Sequence, residues 1–447
     1  MPSIFRFRLP LLLLLGLLPL ANCTWIEDTW LGENKKPLPG SRISVLAHDS
    51  KLKPDPQAAE QELRLPAPEA NADWPQAGGY STHALHHMMI GPALKKVWTA
   101  SIGTGASDYR RLLAPPVIAG GRIFAMDVEA RVSAYDQKNG NRLWRVDLTP
   151  DEEDGDDLMG GGLAVDGGRL FATTGFGHVV ALDPANGKAL WRTKQQTALR
   201  AAPTARAGRL FVITMDDQTI ALDQANGKTL WTHTGINEGA SVLGAASPAA
   251  DDTLVIAPYS SGELVALRVE NGTVLWSDSL AAGRRTDAVS GLSDIRGRPI
   301  IDRGRVFVIG HGDLMVAIDM RSGRRIWEAE IGGVQSPWIA GDYLYAVTNN
   351  AEVVCVEAKS GRIRWVTPLQ RWKNAEKKKD PIVWAGPVLA SDRLIVTSSS
   401  GMTLALSPYT GKPLGLAEMP DGITIAPIVA NKELLFLSDE ADLIAYR

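Results

Sequence analysis

The chain has 447 residues, 45% of them apolar and 22% charged, with a net charge of −3. That length buries a large core, as one repeat fold or as two or three ordinary domains, and the balance offers no basic face for nucleic acid. Two cysteines, Cys23 and Cys355, exclude a disulfide framework and a zinc site built on paired cysteines.

Residues 1–22 read as an address. Arg6 and Arg8 form a short basic region, and residues 9–20 are apolar but broken by Pro10, Gly16 and Pro19. The run is too short for a membrane span. Leu20-Ala21-Asn22-Cys23 resembles the bacterial lipobox, in which the cysteine is acylated and becomes the mature N-terminus. Asn22 departs from the usual Gly, Ala or Ser. The alternative is an ordinary signal peptide cut near Ala21, with Cys23 a bystander. Several acyl chains on Cys23 would anchor stably, whereas one alone holds only marginally. Thr24 stands where Asp often retains such lipoproteins in the inner membrane. The resemblance therefore implies an outer-membrane anchor at the periplasmic face.

Residues 23–72 read as a flexible tether. Pro37, Pro39, Pro54, Pro56, Pro66 and Pro68 punctuate a polar stretch without a period, which buries too little apolar area to offset its ordering entropy. The more apolar residues 37–46 are a candidate docking strand.

Residues 73–447 repeat. Trp98, Trp144, Trp191, Trp231, Trp276, Trp327 and Trp365 stand 38 to 51 residues apart, the length of one propeller blade. Gly140, Gly187, Gly227, Gly272, Gly323 and Gly361 each precede a Trp by four. Four residues before each Gly stands Asp136, Asp183, Asp223, Arg268, Asp319 or Glu357. Within a unit, short runs such as Arg169-Leu170-Phe171-Ala172-Thr173-Thr174 and Val179-Val180-Ala181-Leu182 read as strands. Asn186-Gly187 reads as a tight hairpin with positive φ at both positions, and Asp183 as an acceptor where the turn opens. A proline precedes the first strand of most units: Pro116, Pro203, Pro248, Pro299, Pro337, Pro387 and Pro427. Gly160-Gly161-Gly162 replaces it in the second.

The ends imply closure. The last unit stops at Arg447, short of the Trp strand, while Lys95-Lys96-Val97-Trp98 is such a strand with no unit before it. The expectation is an all-β, eight-bladed β-propeller of four-stranded antiparallel blades, closed by the N-terminal strand, which removes free sheet edges. The seventh unit keeps Ser407, Gly411 and Gly415 in register but loses the Trp. Each Trp is expected to pack between neighbouring sheets.

The pattern Ala-Leu-Asp-x-x-x-Gly-Lys-x-Leu-Trp resembles the PQQ-type propeller repeat, and Asp73-Trp74-Pro75-Gln76 resembles the entry to such domains. With the lipobox and the proline-rich tether, the chain resembles the BamB family of outer-membrane assembly lipoproteins, in a version like that of alphaproteobacteria. The resemblance implies a non-catalytic scaffold that binds the periplasmic POTRA domains of BamA, within the complex that inserts outer-membrane β-barrels. It implies a monomer within that complex, with no cofactor. It also implies partner contacts at Ala240-Ser241-Val242-Leu243-Gly244 and Leu292-Ser293-Asp294-Ile295-Arg296, hence Val242, Leu243, Asp294 and Arg296. Asp294 fits the family's Leu-Ser-Asp pattern. Leu243 replaces a basic residue and Arg296 an acidic one, so the charge pairing departs from the family.

Two other functions compete. A PQQ-dependent periplasmic oxidoreductase would need a calcium, a catalytic Asp, a stacking aromatic and, as a rule, adjacent cysteines; no Cys-Cys pair exists. A generic envelope-binding propeller is the third reading. His83, His86 and His87 suggest a soft-metal site or, more simply, a surface turn. Residues 151–157, rich in Asp and Glu, lack the closing Glu of an EF-hand and read as a solvated loop. Lys373, Lys377, Lys378 and Lys379 lie in an insertion that suits anionic lipid, an acidic partner or plain solvation.

Overall fold

Each repeat folds into a four-stranded antiparallel sheet because its two middle strands are apolar on both faces. In the third unit Arg209–Ile213 and Gln218–Asp223 are buried almost throughout, while the outermost strand, Thr229–Thr234, alternates between exposed and covered residues. Such a sheet must be sandwiched between two others, and a ring satisfies that for every unit. In this computed structural model, which describes residues 52–153, 160–236, 245–281 and 294–447, eight such sheets form the blades of a β-propeller. Blades 1 to 7 span residues 117–147, 161–194, 204–234, 249–279, 300–329, 338–368 and 384–418. Blade 8 takes three strands from residues 428–446 and its outermost from Lys96–Ser101, with Thr99 opposite Ile444 and Ala100 opposite Leu443. The N-terminal strand thus closes the ring.

The turns differ from expectation in one respect. Asn186-Gly187 is not a two-residue turn with two positive φ values. Asp183 and Lys188 close a four-residue connection, and only Gly187 is left-handed, at φ 75°. Asp183 performs the expected task, its Oδ1 accepting the Ala185 N–H at 2.8 Å.

The four-residue spacing of Gly and Trp has its cause between blades. The indole N–H of Trp98, Trp144, Trp191, Trp231, Trp276, Trp327 and Trp365 donates to a carbonyl in the turn of the next blade, at 2.9–3.2 Å. The glycine of that turn lies beneath it. A Cβ on Gly140, Gly187, Gly227, Gly272, Gly323, Gly361 or Gly411 would come within 2.5–2.7 Å of the tryptophan of the preceding blade. Phe124, Phe171, Phe211, Phe307 and Tyr345 pack on the indole of their own blade at 5.9–6.2 Å. Blade 8 has no such turn: its last strand ends at Tyr446, one residue before Arg447. Blade 7 correspondingly has Gly415, not Trp, opposite Ala405.

Candidate functional site

Residues 69–91 run around the inner strands at one end of the propeller and touch every blade in turn. Asn71 donates to Val429 O of blade 8 at 2.6 Å, and Trp74 exchanges backbone hydrogen bonds with Ile118 of blade 1. Pro75 O accepts from Val165 of blade 2, and the Gln76 amide bonds both backbone groups of Ala205 in blade 3. Ser81 O and Thr82 O accept from Ala250 and Ile301 of blades 4 and 5. His86 O accepts from the Trp338 indole of blade 6, Met88 bridges Leu389 and Ser391 of blade 7, and Gly91 returns to blade 8 at Lys432. Upstream, helix α1 (Pro56–Glu60) is capped by Asp55, whose backbone N–H bonds Ile363 O of blade 6.

The histidines belong to this belt, and the expectation of a surface turn is corrected. His83 and His87 are buried. His83 Nδ1 bonds Pro299 O, and His87 bonds Pro66 O through one nitrogen and the Asp392 N–H through the other. Burial, with the Arg298 charge nearby, holds His83 down at about 3, so it is neutral at pH 7.

Trp74, Ala77, Gly78, His83 and Leu85 of the belt form the floor of an axial cavity of about 640 Å³. Its walls include segments that enter the inner strands, among them the repeat prolines Pro337, Pro387 and Pro427, together with Pro115. The walls carry Arg111, Arg200, Arg296, Arg298 and Lys373 against Asp380 and Asp439. Asp439 Oδ1 is already engaged by the Thr424 N–H and hydroxyl. Among the described residues Arg298 is bonded to Ser336 Oγ alone, through its backbone and its guanidinium, and burial lowers its pKa to about 10. Arg296 is lowered by burial and partly restored by the Asp294 carboxylate.

Of the residues singled out for partner binding, Arg296 lines this cavity, and Asp294 is buried just before it with its carbonyl accepting the His311 N–H. Cys23, Val242 and Leu243 lie outside the described residues. So do residues 154–157 of the acidic stretch, whose Asp151, Glu152 and Glu153 are exposed. The lysine insertion is a hairpin of Trp372–Asn374 with Lys379–Pro381, and its Lys373 reaches the cavity. Among the described residues no group of three or more His, Cys, Asp and Glu side chains could hold a metal ion. Sequence reasoning missed Arg200, Arg298 and the lining role of Trp74. The available signal was Arg296-Gly297-Arg298-Pro299, two arginines just before a repeat proline.

Residues 128–367 match the family model described as outer membrane protein assembly factor BamB. The BamB of Alkalilimnicola ehrlichii is 34% identical over 78% of this chain and 89% of its own length. That of Escherichia coli K12 is 28% identical over 76% and 85%. Among solved structures, BamB from Moraxella catarrhalis superposes with a TM-score of 0.66 at 20% identity, covering 79% of this chain and all of that one. A quinohemoprotein alcohol dehydrogenase from Comamonas testosteroni superposes at 0.65 with 12% identity, covering 84% and 80%. At these identities both structures speak for the fold alone.

Proposed function

Because this chain belongs to the BamB family of outer membrane protein assembly factors, we propose that it is a non-catalytic scaffold of the outer-membrane β-barrel assembly complex. In this reading residues 1–22 are a lipoprotein signal, Cys23 carries the lipid, and residues 23–72 lead from the anchor to the propeller of residues 73–447. The protein sits at the periplasmic face of the outer membrane and works as a monomer within the complex. It binds the POTRA domains of a BamA-like partner and assists insertion of outer-membrane proteins. The lipobox, the proline-rich stretch and the eight blades support the narrower placement with the alphaproteobacterial versions.

The observation that carries this reading is the family match over residues 128–367, which spans both contact segments, 240–244 and 292–296. A propeller rim suits the task, because a rigid scaffold fixes binding loops at little entropic cost. Leu243, Val242, Asp294 and Arg296 are the proposed contacts. Leu243 in place of a basic residue and Arg296 in place of an acidic one predict matching changes on the partner. Placing a photo-crosslinking residue at position 243 in living envelopes, and identifying the captured protein, tests this. Capture of the BamA-like subunit is expected; capture of cell-wall or sugar-processing proteins alone would replace this reading with that of a generic envelope binder.

A further inference from the structure

The axial cavity is lined by five cationic side chains, Arg111, Arg200, Arg296, Arg298 and Lys373, against two carboxylates, Asp380 and Asp439. Among the described residues none of Arg200, Arg296 and Arg298 has a carboxylate within ion-pair distance, and only Arg296 feels one nearby, that of Asp294. Among the described residues the Arg298 guanidinium has one hydrogen-bond partner, a neutral hydroxyl at 3.3 Å. Removing a guanidinium from bulk water without a counter-ion is costly. The second observation is independent of charge. Trp74, 3% exposed, also lines the cavity, and its indole N–H has no acceptor among the described residues. A buried N–H without an acceptor is rare in a native fold.

Both observations lack a hydrogen-bond acceptor, and the arginines favour one that carries negative charge. We propose that the axial cavity is an anion-binding site, taking a carboxylate or phosphate group between Arg200, Arg296 and Arg298, with the Trp74 indole N–H as a further donor. The planar fork of each arginine matches two oxygens of either group. Of the two carboxylates that also line the cavity, Asp439 already accepts two hydrogen bonds from Thr424. Leu85, Leu112, Val383 and Ile425 also line the cavity, so the anion can carry an apolar body. Arg296 is shared with the partner contacts proposed above, while Arg200, Arg298 and Trp74 are not, so the anion site is tested through them.

Calorimetric titration of the full chain with three probes tests it: inorganic phosphate, a short apolar peptide with a free C-terminal carboxylate, and the same peptide amidated. Binding of phosphate or of the free acid is expected, with a raised thermal midpoint and no binding of the amide. Tighter binding of phosphate identifies a phosphorylated small molecule as the source, and tighter binding of the free acid a polypeptide. Arg298→Gln is expected to weaken binding by about tenfold or more, in the range of one lost charge-assisted contact. Should Arg298→Gln fail to fold, Arg200→Gln gives the same reading. The proposal is overturned if neither anion binds, if the amide binds as well as the acid, or if the folded arginine variants bind with unchanged affinity.

Discussion

Gly187 and Gly208 have nearly the same backbone conformation, with φ of 75° and 72°, but only Gly187 lies under an indole. Alanine at either position pays about 1–2 kcal/mol for the left-handed conformation. Gly187→Ala also drives a methyl into Trp144, an overpacking cost of about 1–3 kcal/mol. Denaturant melts of the two variants should therefore rank Gly187→Ala as the less stable; equal losses would mean that the turn does not carry the indole. His83 makes a prediction in pH. Its pKa falls from 6.5 to about 3 on folding, so the unfolded chain binds the extra proton between those values. The contribution is complete above about pH 6.5 and is lost as pH falls toward 3, at up to about 1.4 kcal/mol per unit. His83→Gln should flatten the acid limb of the stability profile. An unchanged slope would place the acid sensitivity elsewhere.

The blade is the element through which sequence and structure speak to each other most directly. The Asp–Gly–Trp spacing was legible because the same turn and the same indole meet at seven blade boundaries. Trp231, 8% exposed, is one of the better covered of these, and Trp231→Ala should cost about 3–5 kcal/mol in equilibrium unfolding. The loss of Trp from blade 7 has the converse explanation. Blade 8 lacks the turn that would receive it, and a Cβ added at Gly415 would meet nothing within 4 Å. Gly415→Trp should leave stability within about 0.5 kcal/mol of the parent, and a gain like the Trp231 loss would contradict this. The belt of residues 69–91 was not legible. Its hydrogen bonds go one or two at a time to eight different blades, so no period of two or 3.6 accumulates. Its buried His83, Gln76 and Asn71 read as polar surface in a one-dimensional view. The tight turn was misread because Asn-Gly resembles a two-residue hairpin until the chain spacing across it is known.

At the scale of the whole molecule, two stretches far apart in sequence complete one structure. The strand Lys96–Ser101 supplies the fourth strand of the blade that ends the chain, and the belt closes the axial cavity on one side. Closure could be read from the two incomplete ends alone, since each lacked what the other offered. The site was legible only in part. Asp294 and Arg296 were named as partner contacts through the family resemblance, whereas the place of Arg296 beside Arg200 and Arg298 in the cavity depends on ring geometry that no local pattern encodes. The functional account rests on that ring presenting its loops to a partner in the envelope. Its most direct test is the affinity of the full chain for the isolated POTRA domains of the BamA from the same organism, measured calorimetrically. Saturable one-to-one binding, weakened about tenfold or more by Leu243→Asp with no change in melting, is the predicted result. No binding at the highest soluble concentration would contradict it.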